Sequence, residues 1–251
     1  MATTATTVDY QKEVRKSHEG RPLNVTFNGR FQCSTEARSM FERKIRDMYK
    51  NRGWNERVTN IIIEFVTNIQ KVYGDKYINR ILDRLSELEE IKEYYDDSKY
   101  LASSKKNYIV FFKDIKDENN FKYVLEHELF HFIQKEGSAF EKIPKKYENI
   151  LEINKKIFLL EEAFVQYFTA KINNKMPEYI TKDENGDKKK YWLNECYSDI
   201  VGVVEELEAK IGKVNLLDIY MDDERYEDEI EKFDKRYGEN AFGKYIEKIC
   251  K

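Results

Sequence analysis

The stretch on which the fold turns is Val124-Leu125-Glu126-His127-Glu128-Leu129-Phe130-His131-Phe132-Ile133. Apolar residues occur almost all round it at helical spacing, so a buried helix is expected. His127 and His131 stand four residues apart, which puts both imidazoles on one face, one turn apart. Two nitrogens so placed can bind one tetrahedral Zn²⁺. Glu128 lies about 100° further round, too far to be the natural third ligand but placed to reach a water at the metal. In a His-Glu-x-x-His arrangement that glutamate acts as general base. The chain has only three histidines, and two of them are here. Chance would produce the pattern on the order of once in several hundred chains of this composition. The plainer reading, two histidines merely hydrogen-bonded in a core, is weaker, because burying two His and a Glu without partners is costly.

Zinc sites that do chemistry take three protein ligands and leave a fourth position for water. No histidine follows His131, and His18 lies in a polar tail. The third ligand is therefore expected to be a carboxylate on a following helix. Within Phe158-Leu159-Leu160-Glu161-Glu162-Ala163-Phe164-Val165-Gln166-Tyr167-Phe168-Thr169, two acids interrupt an apolar helix. At 100° per residue, Glu162, Gln166 and Thr169 form one narrow polar stripe, whereas Glu161 falls on the side of Phe164 and Phe168. The stripe favours Glu162, with Glu161 as its rival. The alternative is a surface glutamate or one paired with Lys155 or Lys156.

Composition narrows the class. Among 251 residues, Lys+Arg 44 against Asp+Glu 47 gives a net charge of −3, no basis for gripping nucleic acid or anionic lipid. Aromatics at 14% exclude a disordered chain. Ten Gly and three Pro favour long helices over a loop-rich all-β protein. No signal peptide or bilayer-length apolar run is present. Cys33, Cys196 and Cys250 are odd in number and widely spaced, which suits reduced thiols in a cytoplasm rather than a disulfide scaffold.

Patterning then gives an organisation. Residues 1–20 read as a polar N-terminal tail, 21–104 as a hairpin and helices, and 105–251 as a core carrying the His-Glu-x-x-His motif with C-terminal helices, the last two forming one compact unit. Asn28-Gly29 between alternating runs signals a hairpin over Leu23 to Cys33. Ser34-Thr35 caps a helix whose Met40, Ile45 and Met48 share one side. Trp54 to Tyr73 carries a helical stripe closed by Gly74, and Asp75 to Tyr95 repeats it. Tyr108 to Phe112 reads as a strand. Helices are expected from Phe121 to about Lys135 (capped at Asn119-Asn120, closed by Gly137), about Glu148 to Ile172, Leu193 to Ile211, and across the acidic C-terminal section. Thr181 to Lys190 reads as polar turn, and its Asp183 to Asp187 lacks the later bidentate Glu of a calcium loop. The acidic run Met221 to Glu229 reads as a solvated helix face. The fold class expected is α+β, predominantly helical, with a small sheet and an active-site helix.

These residues resemble the gluzincin metallopeptidases, the thermolysin-like clan with HExxH and a downstream glutamate. His127-Glu128-x-x-His131 fits the clan's motif, and Glu162-Ala163-Phe164-Val165-Gln166-Tyr167-Phe168-Thr169 is similar to the third-ligand helix of small bacterial members, with Ala163 at a common glycine. The likeness covers roughly residues 105–220. It implies a zincin-like fold, Zn²⁺ held by His127, His131 and Glu162, Glu128 as general base, and a peptide or protein substrate paired to a sheet edge at Tyr108–Phe112. It also implies a phenolic donor for the reacting carbonyl oxygen, with Tyr197 at the matching position and Tyr191 as second choice. Gln166 stands where thermolysin-type members carry an Asp that orients a histidine, and Asp199 is a rival for that role. The alternative is a non-catalytic binding or toxin-associated module that keeps the fold; Glu128 favours the enzyme, since a structural site needs no base.

Overall fold

The computed structural model describes residues 35–50, 52, 55–95, 100–134, 156–174, 178–182, 188–192, 198–221 and 226–249. Among these, helices predominate beside a small three-stranded sheet, an α+β arrangement as the patterning predicts. No helix among them is long and apolar enough to cross a membrane. The polar tail with His18, the Asn28-Gly29 hairpin, the Ser34 cap, Trp54, Gly137, residues 148–155, the 183–187 loop, Tyr197 and the three cysteines lie outside the described residues.

Helix α1 (Thr35–Lys50) buries Phe41, Ile45 and Tyr49, a stripe with a four-residue repeat. Met40, expected on the inner side, is 62% exposed, because it stands one residue, and so about 100°, off that stripe. Helix α2 (Glu56–Tyr73) follows its predicted span: the Asn55 side chain accepts from the Arg57 N–H, and Gly74 ends the helix at φ +81°. A positive φ at the position after a helix is what glycine supplies without strain.

The expected helix over Asp75 to Tyr95 is corrected. Helix α3 covers only Ile78–Leu85 and stops in tight turns, where the Glu87 and Leu88 N–H groups donate to the Arg84 and Leu85 carbonyls. The chain then extends as β1 (Glu90–Glu93). β2 (Ala102–Ser104) and β3 (Tyr108–Phe111) complete the sheet in the order β1-β3-β2. β1 runs parallel to β3, from Glu90↔Tyr108 to Glu93↔Phe111, and β2 runs antiparallel, from Ala102↔Phe111 to Ser104↔Ile109. The strand read from the sequence is therefore the central one. Ile109, Val110 and Phe111 are all buried, and Phe111 stacks on Phe121 of the next helix at 4.7 Å.

Helix α4 (Glu118–Ile133) begins three residues earlier than expected, because Asp117 rather than Asn119 or Asn120 caps it by accepting from the Asn120 N–H. Helix α5 spans Lys156–Asn173. The stretch read as polar turn is a two-stranded hairpin instead, β4 (Glu178–Lys182) against β5 (Lys188–Trp192). Tyr179 pairs with Tyr191, and Ile180, Thr181 and Trp192 add further β-formers at the two ends of a stretch whose intervening charges mask them. Helices α6 (Ser198–Ile211), α7 (Lys213–Met221), α8 (Tyr226–Tyr237) and α9 (Ala241–Ile249) follow. Of the acidic run, Glu227 and Asp228 are exposed as expected.

The chain divides into two compact units. One takes the described parts of 27–136 with 168–175, and the other those of 137–167 and 176–251. The first unit's core is centred on α2, whose Ile62, Phe65, Val66 and Ile69 are buried. Phe65 meets Phe130 edge-on at 4.9 Å, and Phe168 packs on Phe130 at 5.7 Å and on Tyr73 at 5.8 Å. In the second unit Phe233 meets Phe242 and Tyr245, each at 6.0 Å. Asp234 accepts from the Phe242 N–H at 2.8 Å, tying α8 to the first turn of α9.

Candidate metal centre

The α4 sequence leaves little choice of orientation. Residues 123–130 are all buried, polar ones included, so the helix is enclosed over most of its circumference. Each end is held. Asp117 caps the start, and at the other end Arg84 on α3 donates to the Phe132 carbonyl at 3.2 Å and lies over the Phe132 ring. A cation at the last carbonyls also opposes the helix's partial negative charge there.

On this scaffold the Nε2 atoms of His127 and His131 lie 3.2 Å apart, with their rings inclined at 70°. A tetrahedral ion with Zn–N bonds of 2.0–2.1 Å needs its ligand nitrogens about 3.3–3.4 Å apart. The histidine pair thus already has the edge length of a zinc tetrahedron. One ligand atom from each of His127, His131 and Glu162 falls within 4.8 Å of the others. His127 is buried, and His131 and Glu162 are half-buried. Two imidazoles and one carboxylate are a donor set suited to Zn²⁺ with a position left open. The residues present fit the ion.

The structure brings together the three residues that the sequence singles out as ligands. Glu128, between the histidines, is buried at 7% exposure. On α5, Gln166 and Thr169 are buried and Glu162 half-buried, so the polar stripe is enclosed as its pattern implies. Glu161 is half-buried too but is not in the group with the histidines. Tyr191 sits on β5 opposite Tyr179, and Asp199 lies in the first turn of α6.

Two residues at this site escape the sequence reading. Glu126, directly before His127, is fully buried; burial pushes its carboxyl up to about 7, against the lowering pull of Lys122 and of the Asn173 hydrogen bond. Tyr220 on α7 is fully buried within Leu216–Met221, and burial, then the charges of Glu161 and Glu162, raise its phenol well above the ordinary value. Nothing in the local pattern marks a tyrosine within this buried stretch as a neighbour of those glutamates. A more distant anchor is Tyr167, whose phenol is raised by burial and by a hydrogen bond with Glu208.

The strand expected to offer its edge to substrate does not have one, since β3 is paired on both sides. The free edge beside α4 belongs to β2. The Phe112 N–H donates to the Leu101 carbonyl and the Lys105 N–H to the Tyr108 carbonyl. By antiparallel alternation, Leu101, Ser103 and Lys105 bond inward, and the main-chain groups of Ala102 and Ser104 face away from β3. Among the described residues no strand covers that edge. Comparison of the chain with known protein families, with curated proteins and with solved structures gives no match in any of the three.

Proposed function

We propose that this chain is a zinc-dependent peptidase of the gluzincin kind, with a zincin-like fold, that hydrolyses peptide bonds in a peptide or protein substrate. The observation that carries the reading is the grouping of His127, His131 and Glu162 within 4.8 Å, with Glu128 buried on the same helix between the two histidines. A zinc ion held by the three would supply a Lewis acid and lower the pKa of its water from 15.7 to about 7. Glu128 takes the proton as water attacks the peptide carbonyl and delivers it to the leaving amine nitrogen. The Ala102–Ser104 edge binds the extended substrate by strand addition, in place of Tyr108–Phe112. Tyr220, kept protonated by its surroundings, joins Tyr197 as a candidate donor to the developing oxyanion. The reading includes no nucleic-acid or membrane partner and a cytoplasmic location, for which the odd number of widely spaced cysteines is the support.

Elemental analysis of wild type and His131→Ala, purified side by side, tests the reading. About one zinc per chain in wild type and little in the variant is expected from a three-ligand site. A peptide library then reads turnover, expected in wild type and lost in Glu128→Gln with zinc retained. Wild type without zinc after reconstitution would refute the site; zinc without cleavage of any library member would turn the reading to a binding module.

A further inference from the structure

Glu126 offers more than a neighbour to His127. It is fully buried, and its carboxylate accepts a hydrogen bond from the side-chain amide of Asn173, the last residue of α5. It also lies 3.9 Å from the Lys122 ammonium, which pairs with Glu64. The same Asn173 amide donates to the Thr169 carbonyl at 3.0 Å, which fixes its orientation on α5. A buried charge in such a setting is commonly less stabilising than an apolar side chain of similar volume. Folding alone would be served as well by leucine at this position.

What the bond supplies is register. One turn beyond Glu126, Phe130 meets Phe168 of α5. The two helices thus meet through apolar rings and, one turn away, through this buried hydrogen bond. Apolar faces can interdigitate at several offsets, and a single buried polar group is a known way of selecting one. Glu162 stands eleven residues before Asn173 on the same continuous helix. A slip of one residue would carry it about 1.5 Å along the axis, whereas metal–ligand distances hold to about 0.2 Å. Building on the zinc-peptidase reading, we propose that the Glu126–Asn173 hydrogen bond is a register lock that sets Glu162 against His127 and His131. Both residues are positioning residues for metal binding.

The full chain, stripped of metal by a chelator, is titrated with Co²⁺ and, in competition with a chromophoric chelator, with Zn²⁺. Wild type, the double variant Glu126→Leu/Asn173→Leu, and Glu126→Gln are compared, with metal-free thermal unfolding measured alongside. The double variant is expected to unfold no lower than wild type, yet to bind Zn²⁺ about 10–100-fold more weakly, as loss of an outer partner does. Its Co²⁺ visible bands should weaken. Glu126→Gln, which keeps an acceptor for Asn173, should recover most of the affinity. A folded double variant with wild-type Zn²⁺ affinity and Co²⁺ spectrum overturns the lock and leaves the zinc site standing. So does an affinity loss that only tracks a lowered unfolding temperature and that Glu126→Gln does not rescue. Wild type binding neither metal overturns the zinc site itself, and the lock with it. Should the double variant not fold, Asn173→Ala, which leaves Glu126 beside Lys122, makes the same comparison.

Discussion

Phe168→Ala removes the ring through which α5 meets the histidine helix. Phe168 is fully buried, with ring centroids 5.7 Å from Phe130 and 5.8 Å from Tyr73. Truncating a buried phenylalanine costs about 3–5 kcal/mol, cavity included, and each lost ring pair accounts for about 0.5–1.5 kcal/mol of that. At roughly 2–4 °C per kcal/mol for a chain of this size, the transition that reports this unit should fall by about 6–20 °C. Calorimetry and urea titration of the metal-free protein measure both. Phe168→Leu keeps most of the volume and should cost less, and combined with Phe130→Leu it should show a coupling of about 0.5–1.5 kcal/mol. A cost below about 1 kcal/mol for Phe168→Ala, the level of an ordinary substitution, would refute the packing. Zero coupling in the leucine cycle would refute the ring contact even if the alanine variant proved unstable. Either result would also remove the physical basis for placing Glu162 by the continuity of α5.

The remaining predictions are briefer. Glu128→Gln should lower kcat by about 10²–10⁴, the usual contribution of a positioned base, with zinc content unchanged on elemental analysis. In metal-free protein Glu126 is ionised with more difficulty folded than unfolded, so its folded state binds the extra proton between about pH 4.5 and 7. Stability should therefore fall as pH rises through that window, by up to about 3 kcal/mol, and then level off; urea midpoints of wild type and Glu126→Gln with identical pH dependence would contradict this. Gly212, at φ +91° between α6 and α7, has only an ordinary contact at the place of a Cβ. Gly212→Ala should thus cost about 1–2 kcal/mol from backbone strain alone, read from the thermal transition. Asp234→Ala should destabilise by about 1–2 kcal/mol through loss of the Phe242 N–H acceptor, and Asp234→Asn, which keeps an oxygen, should restore most of it.

The parts of this fold legible in the sequence are those whose signal is local. His127 and His131 share a helix face by spacing alone, and the apolar residues around them could not face water. Tyr108 to Phe111 declares a strand by composition. The stripe of Glu162, Gln166 and Thr169 needs only helical geometry to be seen. Leu85, Leu88 and Ile91 mislead because three-residue spacing mimics a helix, while only β3, fifteen and more residues further on, pulls Glu90–Glu93 into a strand. The β4–β5 hairpin hides because its apolar residues sit at the ends, around a charged middle. Glu126 and Tyr220 were illegible for a different reason. What makes each notable is a partner on another helix, Asn173 for one and Glu161 and Glu162 for the other.

The sheet's two borders differ in chemistry. β1 presents Glu90, Lys92 and Glu93 to solvent, with Lys92 and Glu90 paired at 3.0 Å. β2 is Ala-Ser-Ser, without a charge. A strand arriving at β1 must strip water from a row of ions, and one arriving at β2 meets only small, readily desolvated side chains. Strand addition therefore costs less desolvation at β2 than at β1. The charges on β1 disfavour two copies joining border to border there, which works against propagation of the sheet into fibres.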